Sequence, residues 1–414
     1  MRKVLLTVLA LTVLAGTVTA SGRAASSTTA GGTTTVEFFN LKREVYDIME
    51  KLIGDFQAQN PGVVIQQTIT PDPWSVLTTR IMGGDMPEIF AAWSGPDFTN
   101  WVQEGYVADL TGQPAVANVS LDALNQVRIN GRDYLIPISH NAMGLWINVN
   151  LFRQCNLNTP TTWAELVKAC ETFKAAGITP ALIGGKEPET VRQDANGYLL
   201  SMPSWSALEG DRAKGNVDFT DRSKPYYQDI RDMAQRVLQW FSYSEPDALG
   251  AARDSLRNDF AIGRGAMYAE GSWAIPTLLA VNPNLNFTLI PFPAVNAGDT
   301  KVGMASDDFA LTYSATAKHP DIAKKFLEFM TSKDAAQYYA ENDGSPSCIK
   351  GVSYASPYLQ YTADLINAGK GFRYPNDPLT QGQLDGEAVA FQGLYAKGDI
   401  EAFCRELQRV FNNP

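Results

Sequence analysis

The sequence has only two histidines, His140 and His319, and no Cys-x-x-Cys spacing among its four cysteines. A metal centre of imidazole and thiolate is therefore not expected, and nothing calls for a cofactor. Basic residues are outnumbered, 34 Lys and Arg against 44 Asp and Glu, for a formal net charge of -10. Phosphate backbones are held by basic surfaces, so no nucleic-acid partner is expected. No Gly-x-Ser-x-Gly, His-Glu-x-x-His or phosphate-loop pattern occurs, which removes common signatures of hydrolysis and phosphoryl transfer. No apolar run reaches the ~20 residues that a membrane-spanning helix needs.

What is present begins at the N-terminus. Arg2 and Lys3 precede an uncharged stretch, Val4 to Ala15, and small residues continue through Val18-Thr19-Ala20. This is the layout of a secretory signal peptide over residues 1–20. Residues 21–35, SGRAASSTTAGGTTT, have no means of burying surface and read as a flexible leader. Leu14-Ala15-Gly16 resembles the start of a lipobox, but Thr17 stands where the lipid-accepting cysteine would be. A chain exported to the periplasmic or extracellular face, without a lipid anchor, is the expectation. Disulfides are permitted there, and Cys155 with Cys170 and Cys348 with Cys404 are the expected pairs among the three possible pairings.

At 414 residues the chain exceeds what one core usually organises, so two lobes are expected. A β-rich stretch at 33–40 is followed by helical spacing of Val45, Ile48, Met49, Leu52, Ile53 and Phe56. Asn60-Pro61-Gly62 stops that helix, and Val63-Val64-Ile65 opens a strand. Helix near 74–82, strand at 88–92 and helix near 97–104 repeat the alternation. The fold class is thus α/β, with a parallel or mixed sheet covered by helices. Ligands in such sheets sit beyond the strands' C-terminal ends, which brings Asn40, Trp93 and Asp97 near a cleft. Further on, Asn130-Gly131 reads as a hairpin turn, Leu145-Trp146-Ile147-Asn148 as a strand, and Thr162 with Glu165 as a capping box. Helices are expected at 320–331, 333–341, 384–396 and 399–411.

Seven segments in order resemble the family 1 extracellular solute-binding proteins, the group that includes maltose-binding protein. Phe56-Gln57-Ala58-Gln59-Asn60-Pro61-Gly62-Val63 matches an opening turn, and Gly84-Asp85-Met86-Pro87-Glu88-Ile89-Phe90 follows, with Glu88 in place of the usual Asp. Gly105 to Thr111 and Gly131 to Pro137 come next. Leu145-Trp146-Ile147-Asn148 leads to Leu151-Phe152 and Pro160-Thr161-Thr162-Trp163-Ala164-Glu165-Leu166. Phe260 to Met267 precedes Gly271-Ser272-Trp273. The resemblance implies a two-lobe periplasmic-binding-protein fold with a hinge and an interlobe cleft. It places lobe one at about 36–140 and 308–345, and lobe two at about 150–303 and 350–414. It also implies a monomer that carries a carbohydrate to the membrane permease subunits of an ABC transporter.

A sugar needs an aromatic ring against its C–H face and planar polar groups for its hydroxyls. By the resemblance, Trp273 is the leading stacking residue, with Glu270 beside it as a hydroxyl partner or a helix cap. Asn141 aligns with a hydroxyl-binding carboxylate of maltose-binding protein, keeping hydrogen-bonding capacity without the charge, and His140 adjoins it. Asn40, Trp93 and Asp97 occupy loops where the family places ligand contacts, and Trp74 is either a stacking ring or buried. Asp194, Asn196 and Tyr198 are candidates from lobe two. Asp307 and Asp308 lie on the returning hinge strand, where consecutive acids need solvent or partners; Asp385 opens a late helix. Trp101, Trp205 and Trp240 read as core. Two alternatives stand beside this reading: a secreted carbohydrate-active enzyme, for which no motif sets two carboxylates across a bond, and the same fold holding a polyamine or other non-sugar solute.

Overall fold

Three parallel strands open the chain in the computed structural model, which describes residues 33–296, 298–375 and 377–413. The expected signal peptide, the lipobox-like segment and all but the end of the leader lie outside the described residues. β1 (Thr34–Phe39) pairs in parallel with β2 (Val63–Thr68) and β3 (Ile89–Ala91). The intervening helix Tyr46–Gln59 buries Ile48, Met49, Leu52, Ile53 and Phe56, the stripe its spacing predicts. Asn130 (φ 52°) and Gly131 (φ 76°) both adopt left-handed backbone, as a two-residue hairpin turn requires, and Ile129 bridges to Arg132.

Two long strands then carry the sheet onward. β4 (Ile136–Asn148) and β8 (Val302–Tyr313) lie antiparallel, and β8 also pairs with β3. Beyond β4 come β6 (Gly265–Gly271) and, parallel to it, β5 (Thr179–Leu182). β7 (Phe287–Ile290) pairs with β4, and β9 (Gly371–Arg373) with β8. The order is β2-β1-β3-β8-β4-β6-β5, so one sheet path crosses the whole molecule.

The side chains on that path divide into separate cores. One gathers Val36 to Ile138 with Phe309 to Ile349, covered by helices Pro320–Met330 and Lys333–Asp343. A second gathers Leu145 to Phe292 with Leu379 to Phe411, and a third adds Trp146, Phe260, Tyr268 and Phe287 beside it. β4 supplies Ile136 and Ile138 to the first core and Leu145 and Ile147 to the second. Between these ends the β4–β8 ladder slips register twice, on either side of Ser139. There β4 turns instead to residues 346–348: His140 N–H donates to Pro346 O at 2.8 Å, and Cys348 N–H to Ile138 O at 2.8 Å. This is the two-lobe α/β fold with strand segments crossing between lobes.

Neither expected disulfide forms. Cys348 is buried in the first core and Cys404 in the second, so their sulfurs are held in different lobes. Cys170 is buried in the second core, Cys155 is half-buried against it, and both remain thiols. Burial pushes the Cys170 thiol up to about 12, against its reactivity. Among the described residues no helix is long and apolar enough to cross a membrane, and no cluster of His, Cys, Asp or Glu suits a metal ion.

Candidate functional site

The loops that leave β1, β2 and β3 at their C-terminal ends all reach one cleft of about 740 Å³ between the lobes. After β1, buried Asn40 accepts the Lys42 N–H at 2.9 Å and donates to Gln67 Oε1 at 2.8 Å. Its side chain thus holds the turn that directs Leu41 to Glu44 toward the cleft instead of lining it. After β2, Asp72 caps helix Pro73–Met82 and sets Trp74 at its first turn. After β3, Trp93 and Ser94 lead into helix Pro96–Gln103, with Asp97 in its first turn.

Tryptophans organise this wall. Trp93 and Trp101 stack on Trp74 with centroids 5.3 and 4.9 Å away and planes tilted by 27° and 30°. No ring contact joins Trp93 to Trp101 among the described residues, so Trp74 is the ring that links them. Trp101 is core, as expected, and Trp93 is the end of the stack that lines the cleft. Trp74 touches the cleft too, but its ring is stacked against both Trp93 and Trp101.

The opposite wall rests on Trp273. A Cβ added to Gly271 would fall 2.2 Å from the Trp273 ring, so the indole folds back onto bare backbone that only glycine provides. Its Nε1–H donates to Glu270 Oε1 at 2.6 Å. Glu270 itself is fully buried and is spent on Trp273, Tyr268, Arg253 and Arg257, at 2.6 to 3.2 Å. It shares a strand face with Tyr268, two residues away, and points at helix Arg253–Ala261 rather than into the cleft. Burial would raise its carboxyl, but Arg253 and Arg257 hold it down.

Asn141 lines the cleft, its Oδ1 accepting from Tyr374 OH at 2.6 Å and Ala305 N at 3.0 Å. These bonds aim its Nδ2 elsewhere. His140 faces away from the lining; burial lowers its imidazole pKa against the pull of Asp308 and Asp122. Helix Pro188–Leu200 carries Asp194 at its middle and Tyr198 in its last turn. Its period sends Asp194, Ala195, Tyr198 and Leu199 into the core, and Glu189, Arg192, Gln193 and Asn196 to the cleft. Asn196 is therefore at the cleft, whereas Asp194 and Tyr198 lie behind it. Desolvation raises the Asp194 carboxyl well above the usual carboxylate range.

The acids on β8 take different partners. Asp308 and Asp343 flank the buried Lys42 ammonium at 2.5 and 2.7 Å, and Ser139 Oγ donates to Asp308 at 3.0 Å. Burial opposes the Lys42 charge, but the two carboxylates outweigh it. Asp307 accepts the Ser94 N–H at 2.5 Å, and burial raises its pKa. Asp377, nearby, is pushed up to about 7 by burial and by Asp307, against the Arg373 guanidinium at 3.1 Å. Asp385 lines the rim beside Arg192, 3.5 Å away.

Residues the sequence reading missed are Lys42, Glu44, Arg192, Gln193, Tyr374, Asp377 and Gln381. Helical period, once the helix start is known, finds Arg192 and Gln193. Tyr374 has no such signal: it sits in an irregular segment, its ring packed on Gly303, where an added Cβ would approach within 2.8 Å. The wall can thus offer two indole faces, a phenol and several carboxylates and amides, which suits a polyhydroxylated ligand.

Residues 41–337 match the family model described as bacterial extracellular solute-binding protein. A multiple sugar-binding protein of Streptococcus mutans is 31% identical over 332 residues, covering 77% of this chain and 76% of its own. The melibiose/raffinose/stachyose-binding protein MelE of Bacillus subtilis is 23% identical over 329 residues, 76% of this chain and 75% of its own. Among solved structures, the binding protein RafE in complex with raffinose is similar with a TM-score of 0.82 at 24% identity, covering 92% of this chain and 99% of that one. The family match spans well over half of the sequence, and the chain belongs to the bacterial extracellular solute-binding proteins.

Proposed function

We propose that this protein captures a neutral oligosaccharide between its lobes and delivers it to the permease of an ABC transporter. The observation that carries the reading is the pair of indoles, Trp93 from one lobe and Trp273 from the other, lining the same cleft. About 740 Å³ lies in the upper part of the ~300–1,000 Å³ range of small-molecule sites, ample for more than one sugar ring. The sugars named for the Streptococcus and Bacillus relatives support the same class. Pairing of the lining charges supports the word neutral: Lys42, Arg253 and Arg257 are tied to carboxylates, Asp377 to Arg373 and Asp385 to Arg192, and Asp307 accepts the Ser94 N–H.

The reading includes a lobe division at 36–140 with 308–345 and 150–303 with 350–414, an exported monomer without a lipid anchor, and binding without turnover. Thermal unfolding against a panel of mono- and oligosaccharides tests it, since a ligand that binds only the folded form raises Tm. A rise with raffinose-type oligosaccharides is expected, and their recovery intact separates carrier from enzyme. No rise with any saccharide, or a rise with spermidine alone, would overturn the ligand class.

A further inference from the structure

Glu44 follows β1 in lobe one, on a short 3₁₀ turn whose Val45 is anchored in the first core. Its carboxylate nevertheless reaches lobe two. Glu44 Oε1 accepts from Arg257 Nη1 at 2.7 Å, with Arg253 Nη2 at 3.8 Å. Both arginines project from helix Arg253–Ala261 and converge through their Nε atoms on Glu270, at 3.0 and 3.2 Å. Glu270 in turn holds the Trp273 indole by its Nε1–H at 2.6 Å. A continuous line of charge-assisted hydrogen bonds thus runs from lobe one, across the gap, to the ring on the far wall.

We infer that Glu44 is a closing latch, and that through Arg257 and Glu270 it fixes Trp273 in place when the lobes shut. The inference rests on the proposed capture of a saccharide, because the ring it fixes is the one assigned to stacking.

Burial decides the direction of the effect. Arg257 is 5% exposed and Glu44 12%, so the pair has surrendered most of its water. Such a pair gains from the low dielectric only while the lobes exclude solvent. Among the described residues Arg257 Nη2 has no hydrogen-bond partner, so Glu44 is the acceptor that keeps the outer end of this guanidinium from being stranded. Arg253 has a different outer partner, Glu189 at 2.8 Å, which belongs to lobe two and stays with it in any lobe arrangement. The remaining cross-lobe ion pair near this point, Arg43 with Asp254, is exposed and 4.0 Å long, and contributes little. Opening therefore costs Arg257 its cross-lobe partner, Glu44. The lobe two side of the network persists, but the Arg257 guanidinium loses its outer anchor, and Glu270 and the indole are then braced from lobe two alone. Glu44 acts as a positioning residue: its own carboxylate is consumed by Arg257.

The test compares wild type with Glu44→Gln, and with Glu44→Asp as the conservative variant. Stopped-flow tryptophan fluorescence with raffinose-type oligosaccharides should show dissociation faster by roughly tenfold in Glu44→Gln, with association unchanged within about twofold. Glu44→Asp should recover part of the loss. A merely structural role would instead lower the ligand-free Tm and leave the dissociation rate of the folded fraction alone. Interlobe distance between spin labels at Met82 and Ile262, both exposed, in a Cys155→Ser background, reads the latch without relying on any sugar. Glu44→Gln should shift that distribution to longer distances. If wild type binds no saccharide, the ligand class fails while the distance measurement still judges the latch. Unchanged dissociation in a wild type that binds, or an unchanged distance distribution, would overturn the inference.

Discussion

Lobe one presents its cleft wall on three loops that leave parallel strands, whereas lobe two presents helix faces and the ends of β4 and β6. The first wall is stiffened by stacked indoles that run from the core to the surface, Trp101 to Trp74 to Trp93. The second is stiffened by charge: Glu270 ties the indole of Trp273 to Arg253 and Arg257. Apolar stacking tolerates ionic strength and local adjustment. A buried charge network does not, because each member left alone pays desolvation without a partner. The two walls should therefore fail in different ways when cut.

The largest difference is expected at Trp273. Trp273→Ala should weaken oligosaccharide binding by at least about 30-fold, the scale of a central aromatic anchor. It should also lower unfolding free energy by about 1–3 kcal/mol, because fully buried Glu270 loses the indole N–H as a donor. Gly271→Ala should imitate it while keeping the tryptophan, since the new Cβ must displace the ring; calorimetric titration reads both. Wild-type affinity in Gly271→Ala would show that the ring's resting place is unimportant.

Lobe one should separate affinity from stability. Trp93→Ala is expected to lower affinity about tenfold with little change in Tm. Trp74→Ala should lower unfolding free energy by about 3 kcal/mol, as loss of a packed aromatic does, because its ring packs on both Trp93 and Trp101. The reverse pattern, Trp74→Ala costing affinity alone, would break the stack as described.

The smallest effect lies behind the lobe two wall. Glu387 is fully buried, neither carboxylate oxygen has a hydrogen-bond partner among the described residues, and burial raises its pKa to about 7 against the pull of Arg212 and Arg192. Its folded pKa exceeds its unfolded one, so its contribution is complete below the ordinary carboxylate range and is lost as pH rises through about 7. Glu387→Gln should stabilise more at pH 8 than at pH 5, by at most about 3 kcal/mol in urea unfolding. Equal effects at both pH values would place an ionised, solvated carboxylate there.

The same contrast explains what could be read from the sequence. Strand–helix alternation and ordered motifs gave the two-lobe class, and topology alone brings Trp93 and Asp97 to the cleft, because a loop after a parallel strand has one place to go. Lobe two resists that logic. Glu270 neighbours Trp273 in sequence, yet the two-residue period of β6 turns it under the ring. Asp194 and Tyr198 sit on a helix whose start, at Pro188, decides by a few residues which side chains face solvent. Tyr374 reaches the cleft from an irregular segment with no period at all. The disulfide expectation failed because export makes oxidation possible without bringing Cys348 near Cys404.

The double register slip beside Ser139 has a mechanical meaning. A continuous ladder through both lobes would resist bending like a plank, with every cross-strand bond strained together. Here β4 and β8 drop out of step where the lobes meet, and residues 346–348 take up the pairing on the other edge. A molecule scored along one line in this way would concentrate any bending in a few residues and let the cores on either side move as undistorted blocks.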